Sequence, residues 1–140
     1  MPGSPQGYGP EVTSPFGYGL HHVLLAIPEG GEDACRPFYT GVLGMTELVK
    51  PPRLAARGGL WVRADNVEIH LGVEKDFRPA RKAHPGLRVS DLDELAKRLA
   101  GAGYEPKWDT DLPHIRRFHV SDPVGNRLEI IQEANQAGHA

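Results

Sequence analysis

Apolar and polar residues alternate along the chain in an order that occurs twice. In the first half, a strand-like stretch is followed by a stretch with helical spacing and then by three short strand-like stretches. These predicted elements are a strand at 20–27, a helix at 33–43 and strands near 46–49, 59–63 and 67–74. The order returns about 60 residues later, with a strand at 83–89, a helix after residue 90 and strands near 105–109, 117–121 and 127–132. The pattern therefore predicts two tandem βαβββ modules.

Each predicted helix has one apolar face and a recognisable end. Ala34 and Phe38 mark the inward face of the first helix, and Gly44 follows its last turn as a typical stop signal. Ser90 is predicted to cap the second helix. The apolar stripe of that helix consists of Leu92, Leu95, Ala96 and Leu99. Both faces are expected to pack on strands.

The repeat predicts an α+β fold in which the strands form a curved mixed sheet around a central cavity for a metal or ligand. A ferredoxin-like βαββαβ sheet explains the period less well, because it leaves one hairpin strand of each half without a role. We expect a single domain at 19–132, with module one at 19–74, a linker at 75–82 and module two at 83–132. Residues 1–18, rich in Gly, Pro and Ser, and residues 133–140 are expected to be tails.

Composition narrows the classes of partner. At 140 residues the chain has the length of one ordinary domain, and its net charge of -2 gives no general attraction to nucleic acid or to an anionic membrane. No apolar run approaches the roughly 20 residues needed to cross a bilayer. The lone cysteine, Cys35, and the lack of a leading apolar stretch favour a cytoplasmic protein. A small molecule is the expected partner.

Residues of metal-ligand type occupy equivalent places in the two modules. His22 and His84 align on the first strands, and His70 aligns with Glu129 on the last strands. By two-residue alternation all four side chains point away from the helices, on strands expected to be the edges that meet when the sheet curls. A single strand histidine is more often structural, but this symmetric placement favours a metal site.

Three imidazoles and one carboxylate suit one divalent ion of Zn, Ni, Mn, Co or Fe(II), and leave positions open for substrate or water. His21 is the alternative to His22 if the register shifts by one residue, and Glu68 is the alternative to His70. Glu129, His70 and Glu68 are also the candidate catalytic residues, since each can move a proton beside the metal. The candidate substrate-binding residues are Arg117, Arg88, Trp61 and His119.

Four segments carry a family resemblance: His22-Val-Leu-Leu-Ala-Ile27, Phe38-Tyr-x-x-Val-Leu-Gly-Met45, His84-Pro-Gly-Leu-Arg-Val89 and Asp122-Pro-Val-Gly-Asn-Arg-Leu-Glu129. Over 19–132 the chain resembles the vicinal oxygen chelate superfamily of glyoxalases, bleomycin-resistance proteins and extradiol dioxygenases. The resemblance implies a metal that chelates neighbouring substrate oxygens, with ligands at His22, His84 and Glu129 and a fourth position at His70. It also implies a homodimer, in which some members build the cup from modules of two chains.

Departures from the family patterns bear on the reaction. Glyoxalase I enzymes typically have Glu at the position of His70, and fosfomycin-resistance proteins have Thr at the position of Leu24. Extradiol dioxygenases need acid-base groups near Fe(II), for which His70, His114 and His119 are available. The leading hypothesis is a metal-dependent, glyoxalase-like lyase or isomerase that stabilises an enediolate or oxyanion. The alternatives are an Fe(II) extradiol dioxygenase and a metal-free, bleomycin-resistance-like binding protein.

Overall fold

Two four-stranded sheets, one in each module, form the framework of the computed structural model, which describes residues 12–133. The first sheet has the order β1-β4-β3-β2, with β1 at Val23–Ile27, β2 at Thr46–Leu48, β3 at Leu60–Ala64 and β4 at Val67–Val73. The second has the order β5-β8-β7-β6, with β5 at Gly86–Arg88, β6 at Lys107–Asp109, β7 at Ile115–Ser121 and β8 at Arg127–Glu133. In each sheet the first strand runs parallel to the last, and the other pairs are antiparallel. The predicted α+β fold of two βαβββ modules is confirmed.

The helices lie near their predicted positions but differ in detail. Helix α1 (Glu32–Arg36) continues into a π-helical turn (Pro37–Val42), α2 is the short helix Pro52–Ala55, and α3 is Leu92–Gly101. Gly44 ends the first helical segment with a φ of 74°, which a glycine adopts without strain. The sequence pattern did not predict α2, which Pro51 precedes and Pro52 begins. Proline is in fact well suited to the first turn of a helix.

Two details of the helix predictions are wrong. Ala34 is exposed, and Cys35 takes the inward position because residues 35, 38 and 39 share one face at i, i+3 and i+4. The cap of α3 is Asp91 rather than Ser90, since the Asp91 carboxylate accepts a hydrogen bond from the backbone N–H of Glu94 at 3.2 Å.

The two modules share one hydrophobic core. Phe38 of the first module contacts Tyr104 of the second edge to face, with ring centroids 4.8 Å apart. The buried hydroxyl of Tyr39 donates to Oδ2 of Asp122 at 2.7 Å, and the amide of Asn126 donates to the backbone carbonyl of Ala26 at 2.8 Å. The turn before β8 is thereby attached to both the π-helical turn and β1.

The strand ends change the placement of two candidate ligands. Pairing starts at Val23 and at Gly86, so His22 and His84 precede β1 and β5 instead of lying within them. Pro85 has no N–H to donate, which helps to delay the start of β5. The first and last strands of each module were expected to be the sheet edges that meet. This is wrong for the last strands, because β4 and β8 each lie between two other strands.

The segments outside the sheets are described only in part. Residues 12–18 and the linker 75–82 contain no helix or strand. Strand β8 runs through Glu133, one residue beyond its predicted end. The rest of both predicted tails, residues 1–11 and 134–140, lies outside the described residues. Between residues 12 and 133, no helix has the length and apolar character needed to cross a bilayer.

Candidate metal centre

The register of the second sheet brings three donor side chains together. Glu129 on β8 pairs directly with His119 on β7 and with Gly86 on β5. His84 lies two residues before Gly86, so its ring reaches back over the same face. Within 12–133 these three residues are the one group in which three potential ligand atoms lie within 4.8 Å of one another. The cluster can hold a metal ion.

The donor atoms converge on a single carboxylate oxygen. Nε2 of His84 lies 2.9 Å from Oε1 of Glu129, and Nε2 of His119 lies 3.8 Å from the same oxygen. Ligand atoms that bind one ion at about 2.0–2.2 Å are themselves about 3 Å apart. The three side chains are each partly buried. Two nitrogens and one oxygen in this arrangement fit Zn, Fe(II), Mn, Ni or Co.

The hydrogen bonding of His84 supports the same assignment. Its Nδ1 lies 2.6 Å from the backbone carbonyl of Lys82, an acceptor, so Nδ1 carries the proton. In the neutral ring, Nε2 then presents a lone pair to the carboxylate of Glu129. That contact is favourable only with a proton or a metal cation between the two atoms. Metal-binding histidines commonly have their second nitrogen fixed by a backbone carbonyl in this way.

Arg117 holds the other carboxylate oxygen. Its Nη1 donates to Oε2 of Glu129 at 2.8 Å, and its Nη2 donates to Oδ2 of Asp109 at 3.0 Å. Burial alone would raise the pKa of Glu129, but the contact with His84 and the hydrogen bond from Arg117 outweigh burial and lower that pKa. Burial, followed by the positive charge of Arg127, lowers the pKa of His119, which favours its neutral form. Both groups are therefore kept in the forms that bind metal.

A different cluster occupies the first sheet. His70 on β4 is buried, with its ring stacked between those of Trp61 and His22 at centroid distances of 4.3 and 4.0 Å. Its Nε2 donates to Oε2 of Glu68 at 2.7 Å. His21 contacts the ring of His22 from the side, through an Nδ1 to Nδ1 distance of 2.9 Å. The predicted donors His22 and His70 thus lie together, in a group apart from His84 and Glu129.

The predicted substrate-binding residues are also divided. Arg117 and His119 lie in the second-module cluster, and Trp61 lies in the first-module stack. Arg88 forms an ion pair with Glu133, away from the cluster, since Arg88 lies two residues beyond Gly86 and Glu133 lies four residues beyond Glu129. His84 also lines a cavity of about 480 Å³ beside β1 and the linker, which offers room for a small molecule.

The sequence analysis placed His119 among the candidate substrate-binding and acid-base residues but not among the potential metal ligands. The signal was present in the hairpin that closes at residues 122–126. Counting outward from that turn pairs Ser121 with Arg127 and His119 with Glu129, which places both side chains on one face.

Comparison with known proteins decides the family. A scan against protein-family models found no match, and neither did a search of curated proteins. Among solved structures, a protein from Bacillus anthracis described as a glyoxalase family protein is 42% identical. The match covers 86% of this chain and 99% of that chain, with a TM-score of 0.82. The chain belongs to the glyoxalase family.

More distant structures show the same fold. A fosfomycin resistance protein from Listeria monocytogenes superposes on this glyoxalase-family chain with a TM-score of 0.67 at 14% identity. The match covers 82% of this chain and 93% of that chain. A lactoylglutathione lyase from Agrobacterium tumefaciens gives a TM-score of 0.59 at 18% identity, covering 80% and 92%. The resemblance to the vicinal oxygen chelate superfamily, predicted from four sequence segments, is confirmed.

Proposed function

We propose that this chain is a metal-dependent lyase or isomerase that acts on a small, oxygen-rich metabolite. The convergence of His84, His119 and Glu129 on one point carries the proposal. A bound divalent ion would supply Lewis acidity, which stabilises an enediolate or oxyanion on a substrate that binds through neighbouring oxygens. Three protein donors leave coordination positions for those oxygens. The identity of the ion among Zn, Ni, Mn, Co and Fe(II) is left to experiment.

The side chains around the cluster have distinct tasks in this proposal. His84 and His119 bind through Nε2, and the backbone carbonyl of Lys82 fixes the orientation of the first ring. Arg117 binds Oε2 of Glu129, which aims Oε1 at the imidazoles. Because its pKa is lowered, Glu129 is ionised at neutral pH, and on leaving the metal its Oε1 can accept a proton from a substrate carbon.

We further propose that two copies of the chain form a homodimer in the cytoplasm, and that His22 of a second copy adds a fourth donor to the site. Within one chain His22 stacks on His70 and is absent from the group that contains His84. Large apolar side chains are exposed, among them Leu24 at 61%, Val49 at 95% and Trp108 at 46%. A second copy packed on these side chains would remove apolar surface from water.

Subunit complementation tests the shared site. His22→Ala and His84→Ala chains are each expected to be inactive, whereas their mixture forms heterodimers that contain one intact site. Recovery of about a quarter of wild-type activity per chain is the result expected from statistical mixing of two subunit types. A monomer by light scattering, or a mixture no more active than its components, would overturn the shared site.

Metal content and proton exchange test the reaction class. Purified wild-type protein should bind about one equivalent of metal per chain, and His84→Ala should lose it. In deuterated buffer the loaded protein should exchange the hydrogen next to the carbonyl of an α-hydroxycarbonyl substrate. Hemithioacetals of glutathione, suggested by the lyase relative, form a first substrate panel. Equal metal in both proteins would refute the ligand assignment, and a loaded protein without exchange would refute the reaction class.

One observation favours a second candidate function. Two histidines and one carboxylate are the facial ligand set of non-haem Fe(II) oxygenases, and His84, His119 and Glu129 supply that set within one module. The protein would be loaded with Fe(II) under anaerobic conditions and then assayed in the presence of oxygen. A ring-cleaving dioxygenase would consume oxygen when catechols are added. Zn- or Ni-loaded protein would be inactive in that assay. A protein that takes up no metal at saturating supply would instead be a metabolite-binding protein.

A further inference from the structure

The first module contains a stack of flat side chains at the positions where the second module has its donors. Trp61 pairs with His70 across β3 and β4 as His119 pairs with Glu129 across β7 and β8. His22 lies two residues before Leu24, the partner of His70, and His84 lies two residues before Gly86, the partner of Glu129. The same three backbone positions therefore occur in both modules. In the second module their side chains converge as potential ligands, and in the first module their rings stack.

The stack is tight and nearly parallel. The ring planes of His22 and His70 differ by 16° at a centroid distance of 4.0 Å, and those of Trp61 and His70 differ by 13° at 4.3 Å. His70 is 8% exposed, and its Nε2 is occupied by the Glu68 carboxylate at 2.7 Å. His22, at the end of the stack, is exposed. The ring of His70 is thus held from both faces and from one edge.

This geometry prevents His22 and His70 from binding one ion together. The lone pair of an imidazole nitrogen lies in the ring plane, so a metal at about 2.0–2.1 Å must lie close to that plane. Two nearly parallel planes separated by a stacking distance have no such point in common. Either ring can bind an ion only if the other does not, and the hydrogen bond to Glu68 leaves Nδ1 as the one nitrogen with which His70 could do so.

We propose that His70 is a positioning residue for His22 and not a metal ligand. Glu68 and Trp61 fix the His70 ring, and that ring supports one face of His22. Nδ1 of His22 contacts Nδ1 of His21, which leaves Nε2 of His22 as the donor. The inference rests on the proposed function in one respect, the role of His22 in binding metal. It differs from the sequence-based expectation, in which His70 fills a fourth ligand position.

Two substitutions at one position separate stacking from ligation. His70→Phe keeps a flat ring and removes every nitrogen, whereas His70→Gln removes the ring and keeps a possible oxygen donor. The expected result is that His70→Phe binds metal within about threefold of wild type. His70→Gln should bind more weakly by about 10- to 100-fold, the loss typical of residues that orient a ligand. The fall in metal affinity in His84→Ala shows how large the effect of removing a metal ligand is.

Spectroscopy provides readouts that do not depend on activity. Electron spin echo measurements on Cu²⁺-loaded protein should count as many coordinated imidazoles in His70→Phe as in wild type. In metal-free protein, the ring protons of His22 should show an upfield ring-current shift in wild type and His70→Phe and lose it in His70→Gln. Loss of one coordinated imidazole in His70→Phe, or no ring-current shift in wild type, would overturn the proposal.

The two proposals can fail separately. If wild type binds no metal, the proposed metal chemistry fails, while the His22 shift still tests the support that His70 gives to His22. If His70→Phe does not fold, Glu68→Gln and Glu68→Ala test the same support. Glu68→Gln keeps an acceptor for Nε2 of His70 and should keep the His22 shift. Glu68→Ala leaves Nε2 of His70 without its acceptor, so this ring should turn out of the stack toward water and the shift should fall, whereas a Phe ring has no polar edge to satisfy. An identical shift in both Glu68 variants would count against the proposal.

Discussion

Arg117 donates from Nη1 to Oε2 of Glu129 at 2.8 Å, and this contact leaves Oε1 to face His84. Replacement of Arg117 by Met should free the carboxylate to rotate and should weaken metal binding by about 10- to 100-fold. Chelator competition measures the dissociation constant. Arg116→Met is the matched control, since Arg116 pairs with exposed Asp93. Equal affinities in the two variants would show that Arg117 does not orient Glu129.

His119 should behave as a ligand and not only as a wall of the pocket. His119→Phe keeps the ring volume but removes Nε2, so the metal affinity should fall at least as far as in Arg117→Met. His114→Phe, at an exposed histidine just before β7, should leave the affinity unchanged. Full affinity in His119→Phe combined with weak binding in His22→Ala would assign the third donor to His22 instead.

The repeat made much of this site predictable, because two-residue alternation fixes which face a strand residue takes. His84 and Glu129, from distant parts of the chain, were expected to lie together, and they do. The hairpin register that adds His119 also follows from the sequence, once residues are counted outward from the turn at 122–126.

Other features depend on interactions that residue types do not determine. The stacking of His22, His70 and Trp61 depends on side-chain rotamers and on which neighbour takes the Nε2 hydrogen bond of His70. Asp91 and Ser90 are both good capping residues, and only the backbone conformation decides between them. The inward face of α1 moved from Ala34 to Cys35 for a similar reason, since both are small residues that can be buried.

The link between Tyr39 and Asp122 should contribute to stability without affecting metal binding. Tyr39→Phe removes the donor to Oδ2 of a buried carboxylate and should lower the free energy of unfolding by about 1–3 kcal/mol. Urea denaturation measures this change. Tyr18→Phe is the control, because Tyr18 is 85% exposed. A loss below about 0.5 kcal/mol would show that solvent replaces the phenol as donor.

Glu32 should make the stability depend on pH in the acid range. Hydrogen bonds from the backbone N–H groups of Gly59 and of Glu32 itself lower the pKa of Glu32 below its ordinary value of 4.5. A carboxyl with a lowered folded-state pKa contributes stability above its unfolded-state pKa, and that contribution is lost as the pH falls through the folded-state value.

Glu32→Gln keeps an acceptor for the N–H of Gly59 but removes the ionisation. The difference in unfolding free energy between wild type and Glu32→Gln should therefore be largest near neutral pH and should shrink below about pH 4.5. Urea titrations at pH 7, 5 and 3.5 provide the comparison. A difference that stays constant across the series would mean that ionised Glu32 contributes nothing.

The matched registers of the two hairpins have a consequence for how such a protein diversifies. A duplicated backbone offers two equivalent sets of three positions, so one copy can retain its ancestral chemistry while the other accumulates substitutions without loss of the fold. In this chain only two side chains, Trp61 and His70, distinguish the first set from the second in residue type. Trp61→His combined with His70→Glu would give both sets of positions the same three residue types. The strand pairing at the two sets is already equivalent.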